Sequence, residues 1–195
     1  MLRALHMGLF FALVGAVTPA NAVVPGTTSV LARTAKWVAT LPATASWRLT
    51  VAAGDSAVVH TAVTLGSDRV FSGEDAAAPF RDAATVALYA ALLRNEGQAA
   101  LTAAQVDVSV TSLFHHRRRV VVIVGARPGE AGRAQVWFDR ETGAPVRVHF
   151  PRPSESVERL VLGPHDWPGT GGVLPGQLEL EAPTISVRGA LRKAP

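Results

Sequence analysis

The chain has 195 residues, 48% of them hydrophobic, with no cysteine and 19 Lys and Arg against 15 Asp and Glu. That length suits one domain with a substantial core, and the missing cysteines exclude disulfides and thiolate metal sites. A formal charge of +4 is too small a surplus to argue for a nucleic-acid partner.

The first element has the form of an export signal. Arg3 precedes an apolar run from Leu9 to Val17, and Ala20-Asn21-Ala22 has the small-x-small form of a cleavage site. The run is shorter than the roughly 20 apolar residues a membrane anchor needs. The expectation is residues 1–22 as a signal peptide and residues 23–195 as one exported domain. With no cysteine to acylate, that domain is expected to be soluble and free of a lipid tether.

Thr27, Thr28 and Ser29 offer helix N-caps, and Leu31, Ala35 and Val38 recur at helical spacing, with Trp37 and Leu41 widening the apolar face. Pro42 ends that helix. Residues 46–53 alternate, with Trp47, Leu49 and Val51 on one side, which predicts a strand. Residues 54–56 predict a turn, 57–65 a second strand and 69–72 a short third. Pro79 opens one long central helix with Phe80, Ala84, Leu88, Ala91 and Leu92 on a common face, Tyr89 beside it and Gly97 closing it. Residues 98–104 suggest a further helical turn.

The second half predicts strand after strand. Val106, Val108 and Val110 alternate with polar residues; residues 120–126 form a β-branched run; 135–139, 145–150, 157–162, 177–181 and 184–188 follow at hairpin spacing. The fold class expected is α+β, one domain built on a long antiparallel sheet with two helices.

The phrase from Gln135 to Arg147 (QVWFDRETGAPVR) is the most specific in the chain. It resembles the LolA-like group of periplasmic lipoprotein carriers and their outer-membrane lipoprotein-sorting relatives. In that group a strand ending Trp-x-Asp meets a basic-x-Thr-Gly turn, then x-Pro and an arginine-bearing strand. The phrase has a physics of its own: Asp139, Thr142 and Gly143 are turn formers, and only one of Trp137 and Phe138 can point inward. The resemblance implies a curved antiparallel sheet, an unclosed half-barrel with covering helices, in a periplasmic protein that is not an enzyme. It also implies an apolar cavity between sheet and helices that takes lipid or lipoprotein acyl chains, each buried methylene being worth about 0.8 kcal/mol. Trp47, Leu49, Val51, Val59, Val63, Leu88, Leu92, Val122 and Trp137 are the candidate lining residues. The same residues equally suit a filled core, in which case the chain is a structural or interaction domain with a partner on an exposed sheet edge.

His115, His116, Arg117, Arg118 and Arg119 form the sharpest charged cluster, a hairpin tip suited to anionic headgroups or a membrane-protein partner. Adjacent histidines on a strand point to opposite faces and make a poor chelate. Arg48, between inward-facing neighbours, is expected to face solvent. His165 and Asp166 could form an acid–base pair, but no serine or cysteine nucleophile stands near in a recognisable elbow. The reading is therefore a monomer with no catalytic residues, no metal and no cofactor.

Overall fold

The computed structural model describes residues 23–53, 58–116, 119–152, 157–163 and 174–191. The proposed export signal and the His165–Asp166 pair lie outside the described residues, as do Arg117 and Arg118. Ten strands form one antiparallel sheet in the order β3-β2-β1-β10-β9-β8-β7-β6-β5-β4. They are β1 (Ala45–Ala53), β2 (Val59–Leu65), β3 (Phe71–Gly73), β4 (Thr111–His116), β5 (Arg119–Val124), β6 (Gln135–Asp139), β7 (Pro145–Pro151), β8 (Val157–Gly163), β9 (Gln177–Ala182) and β10 (Ile185–Leu191). The sheet is an unclosed half-barrel with β3 and β4 as its edges. Four helices cover one face: α1 (Thr27–Val38), α2 (Ala78–Arg81), α3 (Ala84–Leu93) and α4 (Gly97–Ala103).

The sheet is two meanders stitched together by the first and last strands. Trp47 lies opposite Leu191 and Val51 opposite Val187, so β10 runs alongside β1 for its full length, from Trp47 to Ala53. Period-two alternation then sorts the side chains. Trp47, Leu49, Val63, Val122, Val136, Phe138, Val148, Leu160, Leu178, Leu180 and Val187 all turn to the helix-covered concave face and are buried there. Ion pairs such as Arg188–Glu179 (3.3 Å) lie on the convex face, exposed and worth at most about 1 kcal/mol each.

Three elements differ from the sequence expectation. Helix α1 has Gly26 at its N-cap and so no side-chain cap, and the Thr27 hydroxyl donates to the Val108 carbonyl (2.6 Å), which ties the helix to the β4 approach. Its buried face is Val30, Thr34, Trp37 and Val38, rotated from the expected Leu31–Ala35 line; Thr34 can be buried because its hydroxyl donates to the Gly143 carbonyl (2.8 Å). The central helix expected from Pro79 to Gly97 is two helices, α2 and α3, preceded by a 3-10 turn (Asp75–Ala77), and the further helical turn expected at 98–104 is α4. The central segment breaks at Ala83, which is extended, and Asn95 in the left-handed region (φ 60°) ends α3 in place of Gly97, which begins α4. Residues 106–110 are not a strand. Asp107 accepts from the backbone N–H and hydroxyl of Ser109 (3.1 and 2.6 Å), an Asx turn that folds the chain before β4 begins.

Gly143 is where α1 presses on the β6–β7 turn. Its φ is +75°, and a Cβ there would sit 2.6 Å from the Arg33 Cβ and 2.6 Å from the Thr34 backbone nitrogen. Gly129 also has positive φ (+90°), but open space surrounds it. Gly143→Ala is therefore expected to lose about 2–5 kcal/mol, left-handed strain plus a backbone clash. Gly129→Ala should lose only the strain, about 1–2 kcal/mol. Urea unfolding of both variants checks this; equal losses would mean that α1 does not bear on the turn.

Candidate functional site

The concave face is covered by a helix that is apolar on every side. In α3, only Ala84 and Ala87 are exposed; Val86, Leu88, Tyr89, Ala90, Ala91, Leu92 and Leu93 are buried. Such a helix has no charged or strongly polar face to turn to water, its exposed positions being alanines, and is stable only inside a protein. It lies against β7 and β8, with α1, α2 and α4 around it.

One polar contact fixes α3 to the sheet. Glu158 stands in β8 in the same inward register as Leu160 and Leu162 and is 2% exposed. Its Oε1 accepts from the Thr85 backbone N–H (2.7 Å) and the Thr85 hydroxyl (3.0 Å) in the first turn of α3. Its Oε2 pairs with the half-exposed Arg152. The carboxylate thus sits on the helix N-terminus, where free N–H groups and the helix dipole favour negative charge. The helix restarts at Ala84 at the point where its first turn meets this carboxylate.

The residues expected to line an acyl cavity divide into two groups. Trp47, Leu49, Val51, Val63, Leu88, Leu92 and Val122 belong to one buried cluster between sheet and helices. Trp47 donates from Nε1 to the Pro175 carbonyl (3.0 Å) and, with Phe71, Phe80 and Tyr89, forms an aromatic wall toward the β3 edge, with centroids 5.5–6.2 Å apart about Phe71. Val59 and Trp137 are elsewhere, which corrects the sequence reading for both. Val59 is 44% exposed at the open start of β2. Trp137 is on the convex face, because Phe138 took the inward position beside Val136 and the two alternatives are mutually exclusive.

On the convex face Trp137 is the centre of a second group. Arg147 lies over its ring at 4.1 Å, with Phe114 and His116 edge-on at 5.4 and 5.5 Å. Its Nε1 donates to the Gln135 Oε1 (2.7 Å). The tryptophan and arginine of the signature hairpin are thus stacking partners on the outer surface. Asp139 builds the turn between them, its Oδ1 accepting from the N–H groups of Glu141 and Thr142 and from the Thr142 hydroxyl. Of the charged tip, His115 is exposed, His116 is engaged with Trp137, and Arg119 lies 3.6 Å from the Asp139 carboxylate. Arg48 is exposed, on the outer side of β1.

No family model matches the sequence. No curated protein matches it either. In structure the chain is similar to a LolA superfamily protein from Nitrosomonas europaea, with 12% identity over 89% of this chain and 96% of that one and a TM-score of 0.42.

Among the described residues no cluster of three or more His, Cys, Asp or Glu side chains could hold a metal ion. His60 is exposed and within 3.3 Å of the Thr50 hydroxyl, and His149 is buried against the Ala131 carbonyl at 2.7 Å. No described helix is long and apolar enough to cross a membrane.

The sequence reading missed Glu158 and Thr85. The signal was available: Val-Glu-Arg-Leu-Val-Leu places the glutamate at the inward parity of an alternating strand, where a charge needs a partner.

Tyr89, the sole tyrosine, is fully buried and its hydroxyl has no hydrogen-bond partner among the described residues. Burial raises its pKa well above the ordinary tyrosine range, and Arg69 opposes this more weakly. The unfolded chain ionises its tyrosine near pH 10, whereas the folded chain keeps the proton. This contribution to stability is therefore intact below about pH 10 and falls as pH rises beyond it. Tyr89→Phe is expected to abolish that alkaline loss and to gain about 1 kcal/mol at neutral pH, since an unpaired buried hydroxyl is removed. Urea unfolding at neutral and alkaline pH reads both; a loss of stability at neutral pH would contradict the absence of a partner.

Proposed function

We propose that this chain is an exported, non-enzymatic carrier or binding protein for acyl chains of lipids or lipoproteins. Residues 1–22 are its cleaved signal peptide, residues 23–195 the working domain, and the periplasm its compartment. The cargo takes the apolar space between the concave sheet and the helices, with Trp47, Leu49, Val51, Val63, Leu88, Leu92 and Val122 as the residues it meets.

The observation that carries the reading is α3. It is an apolar helix seated on the apolar face of an unclosed sheet, and Glu158 supplies a defined polar attachment. Moving such a helix outward uncovers an acyl-compatible surface without breaking any strand pairing. Two sequence features support the same reading: the export signal and the resemblance of the Gln135–Arg147 hairpin to periplasmic lipoprotein carriers. The basic tip around His115 and Arg119 suits contact with an anionic membrane surface during loading.

A filled-core interaction domain is the second reading. The burial of all seven of those residues together with α3 favours it. Native mass spectrometry of the purified protein, joined to titration with a fluorescent fatty acid, separates the two. A carrier retains lipid-mass adducts, binds the probe with micromolar affinity (about −8 kcal/mol) and releases it to competing fatty acid. The absence of both adducts and probe binding overturns the carrier reading.

A further inference from the structure

Among the described residues three buried side-chain polar atoms have no hydrogen-bond partner: the Thr61 hydroxyl, the Arg81 Nε and the Tyr89 hydroxyl. Tyr89 is the deepest of the three, 1% exposed against 7% for Thr61, with Arg81 half-buried. A buried hydroxyl left unmet works against the fold. Phenylalanine would fill the same place in the aromatic wall without that penalty.

A cation stands beside this hydroxyl. Tyr89 stacks on Phe71, with centroids 6.2 Å and planes 28° apart, and Arg69 precedes Phe71 in the turn between β2 and β3. The Arg69 charge acts on the Tyr89 hydroxyl and favours its ionised form, against the effect of burial. Arg69 itself is held by neutral groups: its Nη1 donates to the Pro42 carbonyl (2.6 Å) and its Nη2 to the Leu41 carbonyl (3.3 Å). Among the described residues no carboxylate forms an ion pair with it. Its φ is +61°, a conformation glycine takes at lower cost, yet the position carries an arginine. A buried donor without an acceptor thus lies next to a positive charge that no described carboxylate neutralises.

We propose that Tyr89 and Arg69 receive the head of the cargo, and that this head is a carboxylate, which makes the cargo a free fatty acid. The inference rests on the carrier reading and narrows its ligand class. As α3 lifts, one carboxylate oxygen accepts from the Tyr89 hydroxyl and the other from the Arg69 guanidinium, two charge-assisted bonds. The chain then lies along Trp47, Phe71 and Phe80 toward Leu49 and Val63 on the concave face. One cation matches one negative charge, whereas a phosphate monoester brings nearly two. The acyl chains of a lipoprotein end in esters or amides and offer this pair no anion.

Calorimetric titration of the purified chain with decanoate, decanol and decyl phosphate separates head from tail. Decanoate is expected to bind at least about tenfold more tightly than decanol. Tyr89→Phe and Arg69→Gln should each weaken decanoate binding by about tenfold and leave decanol binding unchanged. Arg48→Gln, exposed on the outer side of β1, should change neither. Because Tyr89 is the sole tyrosine, an isotopic label on tyrosine Cζ gives a single NMR signal that reports its hydroxyl. That signal should move with decanoate and stay in place with decanol. Tyr89→Phe loses no contact in the free protein, so it and the Cζ signal decide the matter if Arg69→Gln fails to fold. Equal binding of decanoate and decanol overturns the carboxylate site and leaves the carrier reading standing. So does a decanoate preference that survives Tyr89→Phe, tighter binding of decyl phosphate than of decanoate, or a Cζ signal that decanoate does not move. Binding of none of the three ligands overturns the carrier reading and the site with it.

Discussion

A single buried carboxylate organises the space between sheet and helices. Removing Glu158 from water costs several kcal/mol unless its charge is met. It is met by the first turn of α3, through the N–H and hydroxyl of Thr85, and by Arg152 at the rim. The contact determines where the central helical segment breaks and restarts, and it sets which end of α3 faces the sheet. An all-apolar helix has little else to orient it: dispersion and burial hold it in, but they are nearly indifferent to rotation and sliding.

The rest of the architecture supplies the frame for that helix. An antiparallel sheet with one apolar face must have that face covered. The strands come from two meanders that meet only where β1 and β10 pair, so the concave face is assembled from the two ends of the chain. Helix α1 closes the β6–β7 end, packed so tightly on the signature hairpin that Gly143 has no room for a side chain. That hairpin serves the frame on both faces. Phe138 enters the core, while Trp137 and Arg147 stack outside with Phe114 and His116.

Most strands were legible because hairpins carry dense local signals: alternation, a turn former, alternation again. β6, β7 and β8 start where the sequence places them. The helical segment was less legible. The stretch from Pro79 to Leu93, apolar apart from Arg81, Asp82 and Thr85, has the same local pattern whether continuous or broken, and the break lies where Thr85 meets Glu158, 73 residues further on. Residues 106–110 alternate like a strand, but the Asp107 side chain captures Ser109 and turns the chain. The candidate lining residues were legible as inward-facing wherever strand parity decided them. Parity could not choose between Trp137 and Phe138, because neighbours on a strand are equivalent until packing selects one. It also could not foresee that the start of β2 lies uncovered, leaving Val59 in solvent.

The central claim is that α3 is a separable inner layer held to the sheet by Glu158. Native-state amide hydrogen exchange tests it directly, comparing α3 with strands β8, β9 and β10 in the wild type and in Glu158→Gln. The account predicts that α3 opens at lower free energy than those strands. In Glu158→Gln its exchange should speed by about tenfold, corresponding to about 1.4 kcal/mol of lost anchoring, while the strands change little. Exchange of α3 and the strands at one common rate, shifted together by the substitution, would show helix and sheet to be a single cooperative unit and contradict it.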